Sequence, residues 1–217
     1  MVDFDHTRQV MIDGQLRAGG VFEPRLLARF SAVPREVFVP QARQALAYID
    51  DVQWFGPAGS SRFMPAPATL GKLLHLADIQ PTDKVLDIGA SSGYGTAIIA
   101  GLAASVLGVE GDAALASVAV GNLAALGLAN VAISSDLTSL KVQSFDVIIL
   151  QGMVDTVPAE WLDLLRDGGR LVTLIRKGAV GTAHLFSKAD GKVTERSDFN
   201  AVLPDLPGQQ KEQTFIF

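Results

Sequence analysis

An α/β fold with a mostly parallel, doubly wound sheet is what this sequence predicts, and three observations predict it. From Lys84 onward, apolar runs of strand length alternate with segments of helix length. The first of these runs, "KVLDIG", has the character of a buried strand. Near the C-terminus two strand-like runs flank Asp190-Gly191, a dipeptide that favours a hairpin turn. The expected product is a sheet with helices on both faces, an antiparallel C-terminal hairpin and an N-terminal helical extension. A single domain over 1–217 is expected, with 1–80 as the helical and loop region and 81–217 as the α/β core.

The elements follow in order. Phe4 to Leu16 carries apolar residues at helical spacing and is stopped by Gly19-Gly20. Pro24 stands at the first position of a second helix, with Leu26, Leu27 and Phe30 on one face. "PREVFVPQARQALAY" begins another short helical region. Periodicity is lost from Asp50 to Pro67, where Gly56, Pro57, Gly59, Ser60 and Ser61 predict an irregular loop. "ATLGKLLHLADI" returns to helix. After it come strand "KVLDIG", helix "GYGTAIIAGLA", strand "SVLGVE", helix "DAALASVAVGNLAALGL" and strands "NVAISS" and "FDVIILQG". "AEWLDLLRDGG" predicts a helix closed by its glycines, "RLVTLIR" a strand, and "QTFIF" a last strand. The loop holding Pro204 and Pro207 either covers the site or closes the sheet edge.

Composition narrows the classes. Of 217 residues, 48% are hydrophobic and 19% charged, enough for a sizeable core. A net charge of -5 with scattered Lys and Arg argues against nonspecific nucleic-acid binding. Cysteine is absent, which removes disulfides, thiol nucleophiles and Cys-based zinc sites. His6, His75 and His184 are far apart and lie in no metal-spaced motif, so no metal is expected. The first residues lack a signal-peptide pattern, and no apolar stretch reaches membrane length. A cytoplasmic protein without membrane partners is expected; the oligomeric state is not legible.

The chemistry concentrates on "KVLDIGASSGYGTAIIAGLAASVLGVEGD". Gly89 and Gly93 allow a tight turn after the first core strand. The spacing is not that of a dinucleotide fingerprint, because Ser91 takes the middle glycine position, and no Gly-Lys-Ser/Thr of a P-loop follows. A carboxylate at Asp87 repels pyrophosphate but suits an ammonium or a sulfonium. Glu110, at the end of the next strand, is placed to accept hydrogen bonds from ribose hydroxyls. This pair resembles the S-adenosylmethionine site of Rossmann-like class I methyltransferases.

The resemblance extends further. "QLRAGGV", "VPREVFVP", "DIGASSGY", "NLAALGL", "FDVIIL" and "LRDGGRLV" together resemble the protein-L-isoaspartate O-methyltransferase family over nearly the whole chain. The resemblance implies S-adenosylmethionine as cofactor, with S-adenosylhomocysteine as product. It places the cofactor on Asp87, on the turn of Gly89, Ala90, Ser91, Ser92 and Gly93, and on Tyr94. Glu110 with Gly111, and Asp136 with Leu137, extend that set, Asp136 as a candidate for the adenine amino group. Gln151, at the end of "FDVIIL", is a candidate to touch cofactor or substrate, with a plain strand-end polar residue as the alternative reading. The resemblance implies methylation of the free carboxylate of isoaspartyl residues in peptides or damaged proteins, and so a repair role.

The substrate half departs from the family pattern. A family loop like "GQTISQP" is replaced by "GSSRFMPAP", which puts either Pro65 or Phe63 where the serine hydroxyl belongs. Arg62 and Ser61 are the remaining candidates for catalysis, Arg62 because a guanidinium can hold a carboxylate through two charge-assisted hydrogen bonds. Trp54 and Phe55 are candidates for a substrate groove, and Trp161 for the core. A methyltransferase with another small-molecule or peptide acceptor, and a noncatalytic homologue that keeps the fold, are the alternative readings. No Asn-Pro-Pro-Tyr-like motif of amino methyltransferases follows "FDVIIL", which argues against nitrogen as the acceptor.

Overall fold

The computed structural model describes residues 2–56, 60–137, 140 and 144–207. Seven strands form one sheet: β3 (Lys84–Ile88), β4 (Ser105–Val109), β5 (Val131–Ser134), β6 (Phe145–Val154), β7 (Leu165–Lys177), β8 (Val180–Ala189) and β9 (Lys192–Ala201). Their spatial order is β5-β4-β3-β6-β7-β8-β9. The first five are mutually parallel, and β8 and β9 are antiparallel additions. The chain runs outward from β3 to β5 and then returns to β6 on the other side of β3. That reversal opens a crevice at the carboxyl ends of β3 and β6, where such folds place ligands.

All ten residues of β6 and the last four of β3 are buried. Their continuous apolar runs are explained by the layers on either side. Val85, Val147 and Ile149 face one core, shared with the N-terminal helices. Leu86, Ile148 and Leu150 face the other, shared with Trp161 and Leu206. The turn between β8 and β9 has positive φ at both Asp190 (52°) and Gly191 (71°), the conformation that Asp-Gly favours in a two-residue hairpin.

The helices, the last one apart, match their sequence signals. They are α1 (Phe4–Met11), α2 (Pro24–Ala32), α3 (Pro67–Ala77), α4 (Tyr94–Ala100), α5 (Ala113–Ala125) and α6 (Ala159–Asp163). Asp3 caps α1 by accepting from His6 N–H, and a π-helical continuation, Ile12–Arg17, carries that helix toward Gly19-Gly20. Two 3₁₀ turns, Arg35–Phe38 and Gln41–Leu46, make the short helical region after α2.

Two expectations are corrected. The segment from Asp50 to Pro67 is not wholly irregular: β1 (Gln53–Phe55) and β2 (Arg62–Met64) pair antiparallel. Each strand has only three residues, too few for a periodic signal. The helix "AEWLDLLRDGG" ends at Asp163, and Gly168 and Gly169 lie within β7 instead. There Arg170 pairs with Val147, and the ladder to β6 slips between Phe145 and Val147 to accommodate the extra residues. The strand expected at "QTFIF" lies outside the described residues. Among the described residues, no helix is long and apolar enough to cross a membrane.

Candidate active site

Asp87 is fully buried near the carboxyl end of β3, between Gly108 on β4 and Ile149 on β6. Its two oxygens accept from the Thr96 hydroxyl and the Gln151 amide, both at 2.6 Å. Asp87 thereby ties β3 to the first turn of α4 and to the neighbouring strand. Burial pushes its carboxyl up to about 6 from 3.8. The Thr96 and Gln151 hydrogen bonds act against that rise, and the Glu110 charge adds to it.

A raised carboxyl means that the folded state holds its proton more tightly than the unfolded chain. Stability from this group is therefore fully present below the unfolded value and lost as pH rises through about 6. At roughly 1.4 kcal/mol per pH unit the loss amounts to about 3 kcal/mol. Urea denaturation between pH 4 and 7 is expected to show that decline in the unliganded protein and to lack it in Asp87→Asn. Parallel pH profiles for the two proteins would contradict it.

The turn after β3 is held from β4. Gly89 takes φ 85°, a conformation glycine adopts freely, and the N–H groups of Gly89 and Ala90 both donate to Val109 O at 3.0 Å. Ser91 adopts φ 55°, unusual for a side-chain-bearing residue. It is fixed there by donating its N–H to Glu110 Oε2 at 3.0 Å. The departure from a glycine pattern is thus absorbed by the acid at the end of β4. Gly93 then starts α4.

Glu110 is 2% exposed. Its Oε1 accepts from Asp112 N–H at 2.9 Å and from Arg62 Nη1 at 2.8 Å. Arg62 reaches over from β2 and is the cation on the wall of a cavity of about 290 Å³, lined also by Gly89, Val109, Leu137, Trp161 and Leu206. That volume is near the lower end of the ~300–1,000 Å³ usual for ligand pockets, enough for the nucleoside part of a cofactor.

The C-terminal segment closes one side. Met153 N–H donates to Pro204 O at 2.9 Å, and Leu206 N–H donates to Met153 O at 2.8 Å. Arg176 pairs with Asp155 at 3.3 Å and with Asp205. These bonds set Leu206 over Gly89, where an added Cβ would lie 2.8 Å from its Cδ1. Of the two roles open to this Pro-containing loop, covering the site is the one seen.

Most of the expected residues meet here. Gly89, Gly111, Leu137 and Arg62 line the cavity, and Asp87, Glu110 and Gln151 form the buried polar layer at the ends of β3, β4 and β6. Ala90, Ser91, Ser92 and Gly93 make the turn between β3 and α4. Three do not join them. Tyr94 points into the N-terminal core, edge-on to Phe30 and Phe38 and under the Arg35 guanidinium, because α2 and the first 3₁₀ turn pack on that side of α4. Asp136 is exposed, and its neighbours Ser135 and Leu137 line the cavity instead. Ser61 is exposed on the hairpin.

The site also takes in Thr96, Trp161 and Leu206, outside the expected set, and Pro207, from the loop expected to cover the site or close the sheet edge. Thr96 left a signal, a hydroxyl on the first turn of the helix that follows Asp87. Trp161 is both core and cavity wall. Trp54 is half-exposed on β1 and tilted against Phe63 at 5.6 Å.

The residues present fit an S-adenosyl cofactor. Glu110 offers a buried acceptor beside the cavity, Val109, Leu137 and Trp161 offer an apolar slot, and Asp87 supplies a negative charge. The hydroxyls of Ser91 and Ser92 are buried and have no hydrogen-bond partner among the described residues, spare polar groups on the turn itself. The sheet order, the acid at each of two adjacent strand ends and the slot between them define a class I S-adenosylmethionine-dependent methyltransferase. A sequence model of the protein-L-isoaspartate(D-aspartate) O-methyltransferase family matches residues 6–203. The protein-L-isoaspartate O-methyltransferase of Syntrophus aciditrophicus is 37% identical over 172 residues, 78% of each chain. That of Trichlorobacter lovleyi is 34% identical over 214 residues, 97% of each chain. A crystal structure from Plasmodium falciparum, described as a protein-L-isoaspartate O-methyltransferase in complex with S-adenosyl-L-homocysteine, is similar with a TM-score of 0.77. Its 18% identity, over 92% of this chain and 97% of that one, speaks for the fold alone. The chain belongs to the protein-L-isoaspartate(D-aspartate) O-methyltransferase family.

Proposed function

We propose that the chain methylates the free carboxylate of isoaspartyl residues in peptides and proteins, using S-adenosylmethionine. The observation that carries this reading is Glu110: a buried carboxylate fixed by two backbone N–H groups, between Val109 and Gly111 on the wall of a nucleoside-sized cavity. In this reading Glu110 holds the ribose, Asp87 the ammonium, and Val109, Leu137 and Trp161 the adenine. When bound, S-adenosylmethionine supplies an electrophilic methyl group on a sulfonium.

The remaining work is positional. An ionised acceptor carboxylate already carries the lone pair that forms the new C–O bond, so no side chain has to remove a proton. Holding that oxygen in place is the larger contribution, and orientation of this kind is worth several kcal/mol. Arg62, on the cavity wall, is the cation to which this reading gives that task. Leu206, Pro207 and Trp161 form part of the cavity wall.

A different carboxylate acceptor is a second reading, favoured by one observation. The two positions where the family pattern has its serine, Pro65 and Phe63, carry no hydroxyl and are buried. Either acceptor gives a methyl ester. Methyl-labelled cofactor and an isoaspartyl peptide are expected to yield label that mild alkali releases as methanol. Alkali-stable label would mean methylation at nitrogen or carbon and would overturn the carboxylate reading.

A further inference from the structure

Arg62 occupies hydrogen-bonding capacity that the proposed function assigns to the ribose. A carboxylate has about four lone-pair sites. Glu110 uses three of them, on Ser91 N–H, Asp112 N–H and the Arg62 guanidinium. The two backbone donors belong to the turn and to the residue that caps α5, so they are fixed by the fold. A ribose diol brings two O–H donors to the one site that remains. The guanidinium is the partner able to leave: Arg62 is partly exposed and sits on a two-stranded ribbon of three-residue strands outside the main sheet. Ribbons this short are marginal on their own.

We propose that Arg62 is a two-position carboxylate binder. Without cofactor it is latched to Glu110; with the ribose on Glu110 the guanidinium is released to hold the carboxylate of the acceptor. The proposal rests on the reading above and adds to it an order of binding, cofactor first. It also implies that an acidic acceptor binds poorly before the cofactor does. Until the latch opens, the cation on the cavity wall is already neutralised. Among the described residues lining the cavity, Arg62 is the cation and no other basic side chain competes for the role.

Calorimetric titration of S-adenosylhomocysteine into the wild-type protein and into Arg62→Met tests the latch. Methionine keeps an apolar stem of similar reach and removes the charge, and the site is exposed enough for the fold to tolerate it. Arg62→Met is expected to bind S-adenosylhomocysteine about 3- to 10-fold more tightly, since a partly exposed ion pair no longer has to break. KM for an isoaspartyl peptide is expected to rise about tenfold or more, with a smaller change in kcat. Arg62→Lys should fall between the two. Equal or weaker binding of S-adenosylhomocysteine by Arg62→Met overturns the latch while leaving the cofactor reading intact. No binding by either protein overturns both together.

Discussion

Asp87→Ala is expected to abolish cofactor binding while leaving the fold in place. Asp87 is fully buried, and its hydrogen-bond partners among the described residues are the neutral Thr96 and Gln151. Its carboxylate is thus an uncompensated charge, and burial is the main reason its carboxyl rises to about 6. A cationic ligand group is what such a charge lacks. Removing one partner of a buried pair costs about 3–5 kcal/mol, or roughly 10²- to 4 × 10³-fold in affinity. The same substitution removes an electrostatic penalty from the unliganded protein. Its stability at pH 7 should therefore fall little, or rise, even with Thr96 and Gln151 left unpaired. Titration with S-adenosylhomocysteine and urea denaturation of wild type, Asp87→Asn and Asp87→Ala separate the two effects. Binding by Asp87→Ala within about threefold of wild type would contradict the assignment.

The second large effect is expected at Arg35. Its side chain is fully buried, yet its hydrogen bonds go to carbonyls, Ala47 O and Pro65 O, each at 2.7 Å. The guanidinium lies over the Tyr94 ring, 4.7 Å from its centroid. Pro65 follows the strand that carries Arg62, and Tyr94 follows the turn of Gly89 to Gly93. Arg35 is therefore a strut between the β1–β2 hairpin and that turn. Arg35→Ala leaves two buried carbonyls without donors and a large void, and should destabilise by about 3–5 kcal/mol. Arg35→Lys keeps the charge but loses the planar fork, and should cost about half as much. A loss below about 1 kcal/mol in urea denaturation for Arg35→Ala would show that the strut carries no weight.

The parts of this structure legible in the sequence are those written in local physics. The buried strands are apolar from end to end because both faces are covered, as "FDVIIL" and the all-buried β6 illustrate. The hairpin at Asp190-Gly191 is readable because few other dipeptides take positive φ twice. Asp87 and Glu110 stand out as acids at the ends of apolar runs. What stayed hidden depends on distant partners. Tyr94 follows the turn in sequence, but the packing of α2 and the first 3₁₀ turn decides that it faces Arg35 and not the cavity. The β1–β2 ribbon exists through three residue pairs, and its Gly- and Ser-rich connection reads as loop. Leu206 reaches Gly89 only because a single-bridge contact with Met153 places it there. The ion pair of Arg62 and Glu110 spans 48 positions of sequence, and no periodicity announces it.

The chain is expected to distinguish an isoaspartyl carboxylate from ordinary aspartate and to methylate it. The most direct measurement is the initial rate of methyl transfer from labelled S-adenosylmethionine to an isoaspartyl peptide, beside the same peptide with ordinary aspartate. Saturable transfer to the isoaspartyl peptide and none above background to its aspartyl twin is the predicted result. Equal transfer to both, or none to either from a protein that binds S-adenosylhomocysteine, would contradict isoaspartyl methylation.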